Sequence, residues 1–113
     1  MVSRGEVWWV DFGDPAGSEP GYRRPVVIVS SNRFNASRIK TVIVTAITSS
    51  LRMAQAPGNV ELAPGTANLP KASVVNVSQT MVIDRRRLSD RCGSLDLANM
   101  SKVDQGLRLV LAL

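Results

Sequence analysis

The stretch Arg24-Pro25-Val26-Val27-Ile28-Val29 begins with a cation at the end of a polar, glycine-rich loop and continues as an apolar run. A second stretch has the reverse order, because the apolar run from Val42 to Ile47 ends on Thr48 and Ser49. In a pair of antiparallel strands the start of one strand faces the end of the other. The pattern therefore predicts that Arg24 and Thr48 meet at one edge of a sheet, beside a loop that carries Ser18 and Glu19.

Short apolar runs separated by glycine, proline and polar turns continue along the chain, and they predict further short strands. We predict strands over residues 6–12, 24–30, 41–47, 59–62, 72–77, 80–83 and 91–95. The fifth and sixth of these are either separate strands or one strand interrupted near Gln79. Residues 31–38 and 84–88 are each compatible with a single helical turn. Many short strands with long loops predict a mainly β fold, a small and strongly bent antiparallel barrel.

The C-terminal segment has a different pattern, that of an amphipathic helix that covers the sheet. Its apolar stripe, at spacings of three and four residues, consists of Leu97, Met100, Val103, Leu107, Val110 and Leu111. Asp96 is well suited to cap the helix N-terminus. Gly106 weakens the helix by about 1 kcal/mol relative to alanine, and we expect its missing side chain to allow close packing on the sheet.

Length and composition indicate one globular domain over residues 1–113, with 44% hydrophobic residues. No apolar run approaches the roughly 20 residues that span a bilayer, and the first residues lack the apolar core of a signal peptide. Cys92 is the single cysteine and has no internal partner for a disulfide, so we expect a small packing residue in a reducing cytoplasm.

The charge balance indicates an anionic partner. Fourteen lysines and arginines stand against nine acidic residues, giving a formal net charge of +5. Eleven of the basic residues are arginines, whose planar forks suit bidentate contact with phosphate. Charge alone also fits an acidic protein partner or a solubilising surface, so these three alternatives stay open.

Five short elements, taken in order, resemble the signature of the MazF/PemK (Kid) toxin endoribonucleases. They are Arg4-Gly5-Glu6-Val7-Trp8 with Asp11, then Gly17-Ser18-Glu19, Arg24-Pro25-Val26, Ile47-Thr48-Ser49 and Ser73-Val74-Val75 with Gln79. The resemblance covers nearly the whole chain. It implies an SH3-like barrel of the CcdB/PemK type with added helices, working as a cytoplasmic homodimer with no membrane association.

The resemblance also implies the reaction: cleavage of single-stranded RNA at a short motif by attack of the 2′-hydroxyl, leaving a 2′,3′-cyclic phosphate and a 5′-hydroxyl. The substrate would be messenger RNA, with ribosomal and transfer RNA as alternatives, and an acidic antitoxin would block the groove. The chain has no histidine, and its acidic residues show no metal-ligand spacing, so we expect neither a metal nor another cofactor.

Arginine, hydroxyl and carboxylate chemistry then remains. We predict that Arg24 stabilises the charge on the phosphoryl oxygens and that Thr48 donates a hydrogen bond to the phosphate. Glu19 is either the general base or an ion-pair partner of Arg23 or Arg24. For substrate binding we expect a base to stack on Tyr22, attraction from Arg23, and contacts from Ser18 and Ser49. The resemblance implies that Gln79 also lies near the substrate groove. Relatives often carry an acidic residue where Ser78 stands, so the sequence preference is open.

Two other functions fit the same chain. A gyrase-directed toxin on this fold would act by protein contact, but toxins of that type end in Trp-Gly-Ile, whereas this sequence ends in Leu111-Ala112-Leu113. A non-catalytic RNA-binding barrel would need the basic surface but neither Thr48 nor Glu19, and it would show salt-dependent binding without cleavage.

Overall fold

The framework of the molecule is one antiparallel sheet with the strand order β4-β5-β3-β2-β1-β6. The computed structural model describes residues 2–14, 17 and 22–113. Its strands are β1 (Glu6–Asp11), β2 (Arg23–Ile28), β3 (Thr41–Thr48), β4 (Val60–Leu62), β5 (Ser73–Asp84) and β6 (Leu88–Ser94). Its helices are α1 (Asn32–Asn35) and α2 (Leu97–Leu111), and three 3₁₀ turns span Leu51–Gln55, Thr66–Asn68 and Arg85–Arg87. The predicted mainly β class is confirmed.

Strand β2 lies inside the sheet and is covered on both faces, as its continuous apolar run predicts. Val27 packs into a core cluster with the middle of α2, whereas Val26 and Ile28 pack into a second cluster on the opposite face. All three side chains are fully buried. Trp8 and Trp9 of β1 likewise contact opposite clusters, because successive side chains of a strand alternate in direction.

Strand β5 is continuous, but its pairing with β3 is interrupted next to Gln79. Thr45 pairs with Thr80 and Ile47 pairs with Val75, so one residue of β3 faces four residues of β5. Polar contacts stabilise this irregularity, including a hydrogen bond of 2.7 Å between the Thr45 and Thr80 hydroxyls. The predicted interruption is therefore a bulge within one strand rather than a gap between two strands.

The sheet curls but does not close by strand pairing, so the description as a barrel is loose. Its edges are β4 and β6. The connector after β4 reaches across to β6, where Asn68 donates to the Cys92 carbonyl oxygen at 2.9 Å and the Cys92 thiol lies 3.2 Å from the Ala67 carbonyl oxygen. Cys92 also packs against the core cluster, in agreement with its expected role as a packing residue.

Helix α2 covers the sheet with its middle turns only. Asp96 caps the helix by accepting a hydrogen bond of 2.8 Å from the Asn99 N–H, and Met100 and Val103 are buried. The prediction of one continuous buried stripe is wrong at both ends, since Leu97 is 89% exposed and Val110 and Leu111 are 43% and 55% exposed. The core cluster includes the side chains of the middle turns and does not include these three residues.

Gly106 makes the close approach that its missing side chain permits, but toward the loop before β4 rather than toward the face of the sheet. Its nearest neighbour there is the backbone of Gly58. In the part of the chain that the structure describes, no helix is both long and apolar enough to cross a bilayer.

Candidate active site

The pairing of β2 with β3 sets the position of the candidate site. Val26 pairs with Ala46, and Val27 pairs with Thr45. Continuing that register by two residues places Arg24 opposite Thr48. Both residues line one cavity at the end of the strand pair. The structure thus brings together the two residues that the strand pattern predicts to meet, while their chemical roles stay predictions.

The cavity has a volume of about 300 Å³ and a mixed lining of cations, hydroxyls and apolar side chains. Its described lining consists of Trp9, Tyr22, Arg23, Arg24, Pro25, Ile47, Thr48, Ser49, Leu69, Pro70, Lys71 and Ser73. Three of these residues are cations and none is a carboxylate. A cavity of this composition attracts an anionic ligand and also offers apolar surface to a flat ring.

Thr48 closes a local turn and still has a proton to donate. The Ser50 N–H donates to the Thr48 hydroxyl oxygen at 3.1 Å, which is a common arrangement for a threonine at a strand end. A hydroxyl that accepts one hydrogen bond keeps its own O–H available. The turn therefore orients the hydroxyl without using up its donor, and half-buried Arg24 lies in the same lining.

Arg23 is held in place by contacts outside the strand pair. Its guanidinium lies 2.9 Å from the Asp90 carboxylate and 4.6 Å from the centroid of the Trp9 ring. Both side chains of the ion pair are largely exposed, so the pair adds little to stability. Its effect is to orient Arg23 along the cavity wall and to balance part of its charge, which agrees with a supporting role.

Tyr22 presents its ring to solvent at the cavity from an uncommon backbone conformation. Its φ angle is 60°, in the left-handed region that side chains other than glycine seldom adopt. The Phe12 N–H donates to the Tyr22 carbonyl oxygen at 2.8 Å, and the Tyr22 N–H donates to the Gly13 carbonyl oxygen. The ring is 62% exposed. Backbone of this kind is often found at functional sites, and the exposed ring is free to stack on a base.

The other predicted residues divide into three groups. Ser49 is exposed and lines the cavity. Gln79 lies in the β5 bulge and is not part of this cavity's lining. Ser18 and Glu19 lie outside the described residues, so the choice between base and ion-pair partner for Glu19 stays a prediction.

Seven of the lining residues were not predicted as site residues, and three of these, Trp9, Lys71 and Ser73, carry a polar side-chain group. Trp9 pairs with Pro25 across β1 and β2, and Ser73 lies at the start of β5, next to the residue that pairs with Thr48. Ser73 also fixes the preceding turn, since its hydroxyl donates to the Lys71 carbonyl oxygen at 2.9 Å. Knowledge of the strand order would have placed these residues at the cavity. The sequence of each strand by itself does not reveal which strands are neighbours in the sheet.

None of the described lining residues of the cavity is acidic. Across residues 2–14, 17 and 22–113, no three histidine, cysteine, aspartate or glutamate side chains come together as potential metal ligands. The groups that the described lining offers a phosphate are a guanidinium, an ammonium group and hydroxyls. These groups bind an oxyanion and stabilise charge that develops on it.

The open antiparallel sheet and the cationic cavity at one end of β2 and β3 define a small β protein with a cavity suited to an anionic ligand. Comparison with family models matches residues 3–111 to the PemK-like, MazF-like toxins of type II toxin-antitoxin systems. The chain belongs to this family.

Individual relatives match along their whole length. The endoribonuclease MazF6 of Mycobacterium tuberculosis is 46% identical over 113 residues, covering 100% of this chain and 99% of MazF6. The endoribonuclease EndoA of Bacillus subtilis is 37% identical over 116 residues, covering 100% and 97%. A mycobacterial endoribonuclease, solved in complex with its cognate antitoxin, superposes with a TM-score of 0.82 at 25% identity, covering 100% of this chain and 97% of that one.

Proposed function

We propose that this protein is a toxin that cleaves single-stranded RNA without a metal ion, by attack of a 2′-hydroxyl on the adjacent phosphorus. The coarser statement, that the chain is an endoribonuclease of the MazF class, follows from its family and from relatives that match it over their full length. The observation that carries the finer proposal is the convergence of Arg24 and Thr48 in a cavity whose described lining is cationic.

In the proposed reaction the scissile phosphate lies between Arg24 and Thr48. The Arg24 fork contacts the non-bridging oxygens, and the Thr48 hydroxyl donates to one of them. Both contacts strengthen as negative charge develops in the transition state, and this difference lowers the barrier. Because a guanidinium holds its protons firmly and is a poor acid, Arg24 serves as an electrostatic partner and not as the acid.

Two proton transfers complete the reaction. A base removes the 2′-hydroxyl proton while the new P–O bond forms, and we assign Glu19 as that base. The bond to the 5′-oxygen then breaks, and the departing oxygen takes up a proton that solvent can supply. The products are a 2′,3′-cyclic phosphate and a 5′-hydroxyl, so no water molecule is consumed in the cleavage step.

The remaining lining residues position the RNA on either side of the cleaved bond. Tyr22 offers a stacking surface for a base. Arg23 and Ser49 contact the backbone nearby, and we assign Ser18 and Gln79 to the flanking nucleotides. Messenger RNA in the cytoplasm is the proposed substrate, with ribosomal and transfer RNA as the alternatives.

Regulation follows from the charge of the cavity. An acidic antitoxin segment that lies over Arg23, Arg24 and Lys71 would compete directly with RNA phosphates. A related mycobacterial endoribonuclease has been solved with its cognate antitoxin, which supports the same arrangement here. We further propose a homodimer, because Leu109 and Leu111 in the last turn of α2, and Leu113 just after the helix, expose their apolar side chains.

The experiment that tests this function is incubation of the purified protein with a long single-stranded RNA in excess EDTA, with the ends mapped by primer extension. We expect discrete cuts, 5′-hydroxyl ends and cyclic phosphates. A matched oligonucleotide with a 2′-deoxy sugar before the cleaved bond should stay intact. Cleavage of that oligonucleotide, or cuts that require added metal, would contradict the mechanism.

A further inference from the structure

A second cationic cavity lies at the end of the sheet opposite the candidate active site. It has a volume of about 240 Å³ and lies where β3 begins and β5 ends. Its described lining consists of Ser37, Arg38, Ile39, Lys40, Asp84, Arg85 and Arg86. Four cations therefore surround one carboxylate. Because β3 has eight residues, roughly 23 Å of strand separates the two cavities.

The Arg85 side chain turns inward and donates through only one of its nitrogens. Its Nη1 donates to the Asn35 carbonyl oxygen at the end of α1, at 2.6 Å. Its Nε and Nη2 atoms are buried and have no hydrogen-bond partner in the part of the chain that the structure describes. Leaving buried charged donors without acceptors is unfavourable, and native proteins seldom do so without a reason.

The unpaired donors form the edge of the guanidinium that binds oxyanions side-on. The Nε and Nη2 hydrogens point in parallel, and this fork matches two oxygens of a carboxylate or phosphate. The neighbouring Arg86 shows the same edge in use, since its Nε and Nη2 both lie 3.1 Å from oxygens of Asp84. Asp84 is thus engaged by Arg86 and does not serve Arg85.

The surrounding side chains favour a phosphate rather than a neutral ligand. Arg38 and Lys40 are exposed, have long side chains and line the same cavity as Arg85, so they can contact an anion that binds there. The volume would hold about eight water molecules at roughly 30 Å³ each, which is enough for a phosphodiester group. Repulsion among the cations falls when a phosphate binds.

We propose that the Arg85 cavity binds a backbone phosphate of the RNA, several nucleotides away from the cleaved bond. This inference rests on the proposed function, because it takes the same RNA as ligand. The cavity then acts as a second, sequence-independent contact that selects longer single strands over short ones. Phosphate contacts of this kind fix the register of a strand and carry no base specificity.

The first test follows the Arg85 Nε–H resonance of the wild-type protein by NMR, assigned by its loss in Arg85→Lys. We expect a saturable shift on adding a non-cleavable RNA of about 16 nucleotides and no shift with one of about four nucleotides. An unchanged resonance with the longer RNA would overturn the proposal. So would a shift with inorganic phosphate or an acidic peptide that the longer RNA fails to produce.

The second test uses rim variants that leave the Arg85–Asn35 contact in place. Arg38→Gln combined with Lys40→Gln should weaken binding of the longer RNA about tenfold and reduce the magnitude of the salt slope by about 0.7 for each lost phosphate contact. Binding of the short RNA should not change. Arg108→Gln with Lys102→Gln, on α2, is the charge-matched control. Equal losses in the two double variants would contradict a defined site.

Cleavage of an unmodified, cleavable version of the short RNA by the same preparations separates the two proposals. If the wild-type protein cuts the short RNA normally but the longer RNA does not bind at the Arg85 cavity, only this inference fails. If the wild-type protein cuts no RNA, the proposed function fails and the inference fails with it.

Discussion

Gly58 and Gly106 contact each other backbone to backbone, which fastens α2 to the loop before β4. A Cβ atom built on Gly106 would lie 2.0 Å from the Gly58 carbonyl oxygen. Alanine normally stabilises an exposed helix position by about 1 kcal/mol relative to glycine. Here we expect Gly106→Ala to lower the free energy of unfolding instead, by about 1–3 kcal/mol, measured by urea denaturation.

Two control variants separate the clash from other effects. Ser101→Ala places alanine at an exposed position of the same helix and should change stability by less than about 0.5 kcal/mol. Gly65→Ala imposes a side chain at a φ of 87° with no atom within 4 Å, so it measures backbone strain alone. A Gly106→Ala protein as stable as the wild type would show that α2 can shift away from Gly58 at no cost.

Thr48 should act through its hydroxyl proton and not through its shape. Thr48→Val keeps the branched side chain but removes the donor, and we expect single-turnover cleavage to slow about 100-fold. Thr48→Ser keeps both the donor and the acceptor for the Ser50 N–H, so it should cleave at close to the wild-type rate. Comparable rates for the valine variant and the wild type would exclude Thr48 from phosphate stabilisation.

Tyr22 should contribute to binding through its ring. Stacking of a base on an aromatic side chain is worth about 1–3 kcal/mol, so Tyr22→Ala should weaken binding of a non-cleavable RNA by roughly 5- to 150-fold. Tyr22→Phe should bind as the wild type does. Fluorescence anisotropy measures the binding. Tyrosine, phenylalanine and alanine all carry a Cβ at the same positive φ, so differences in backbone strain do not affect the comparison. Equal affinities would mean that the ring only packs on its own loop.

The pairing of β1 with β6 depends on the ionised form of the Glu6 carboxyl. Burial alone would raise the pKa of its carboxyl, but hydrogen bonds donated by the Ser3 N–H, the Trp8 indole and Arg91 outweigh burial, and the pKa is lowered below 4.5. A lowered pKa stabilises the fold above the unfolded value, and that contribution disappears as the pH falls through the folded value.

Glu6→Gln should therefore lower the free energy of unfolding at pH 7 by about 1–2 kcal/mol. The difference from the wild type should shrink as the pH falls below about 4.5. Denaturation curves recorded from pH 7 to pH 3 measure it. Glu61→Gln, exposed on β4, is the control and should stay within about 0.5 kcal/mol of the wild type throughout. A Glu6→Gln deficit that is constant with pH would assign the effect to packing.

Much of the sheet could be predicted because hydrophobic runs report burial directly. The continuous run in β2 predicts burial on both faces, and the reversed order of polar and apolar residues at Arg24 and Thr48 predicts where two strands meet. The α2 stripe also predicts a helix, but it does not predict where the sheet ends beneath that helix. Leu97 and Val110 are exposed for this reason.

The parts of the site that could not be predicted depend on contacts between distant strands. Trp9 and Lys71 line the cavity because of the way β1 and β5 pair with their neighbouring strands. No local sequence pattern marks either residue as part of the site. Arg85 is a sharper case. A run such as Asp84-Arg85-Arg86-Arg87 is compatible with a solvated helical face or with contact to RNA, and neither interpretation indicates that the Arg85 side chain is directed inward by the Asn35 carbonyl oxygen. A single sequence offers no sign of which arginine of three is held this way.

The most direct test of the central claim is the single-turnover rate of RNA cleavage in excess EDTA by Arg24→Ala. Arg108→Ala on α2 removes the same charge away from the cavity and serves as the control. We expect the Arg24→Ala rate to fall by at least about 100-fold with discrete cuts preserved in the control. An Arg24→Ala protein that cleaves at the wild-type rate, with its fold verified by circular dichroism, would contradict the account.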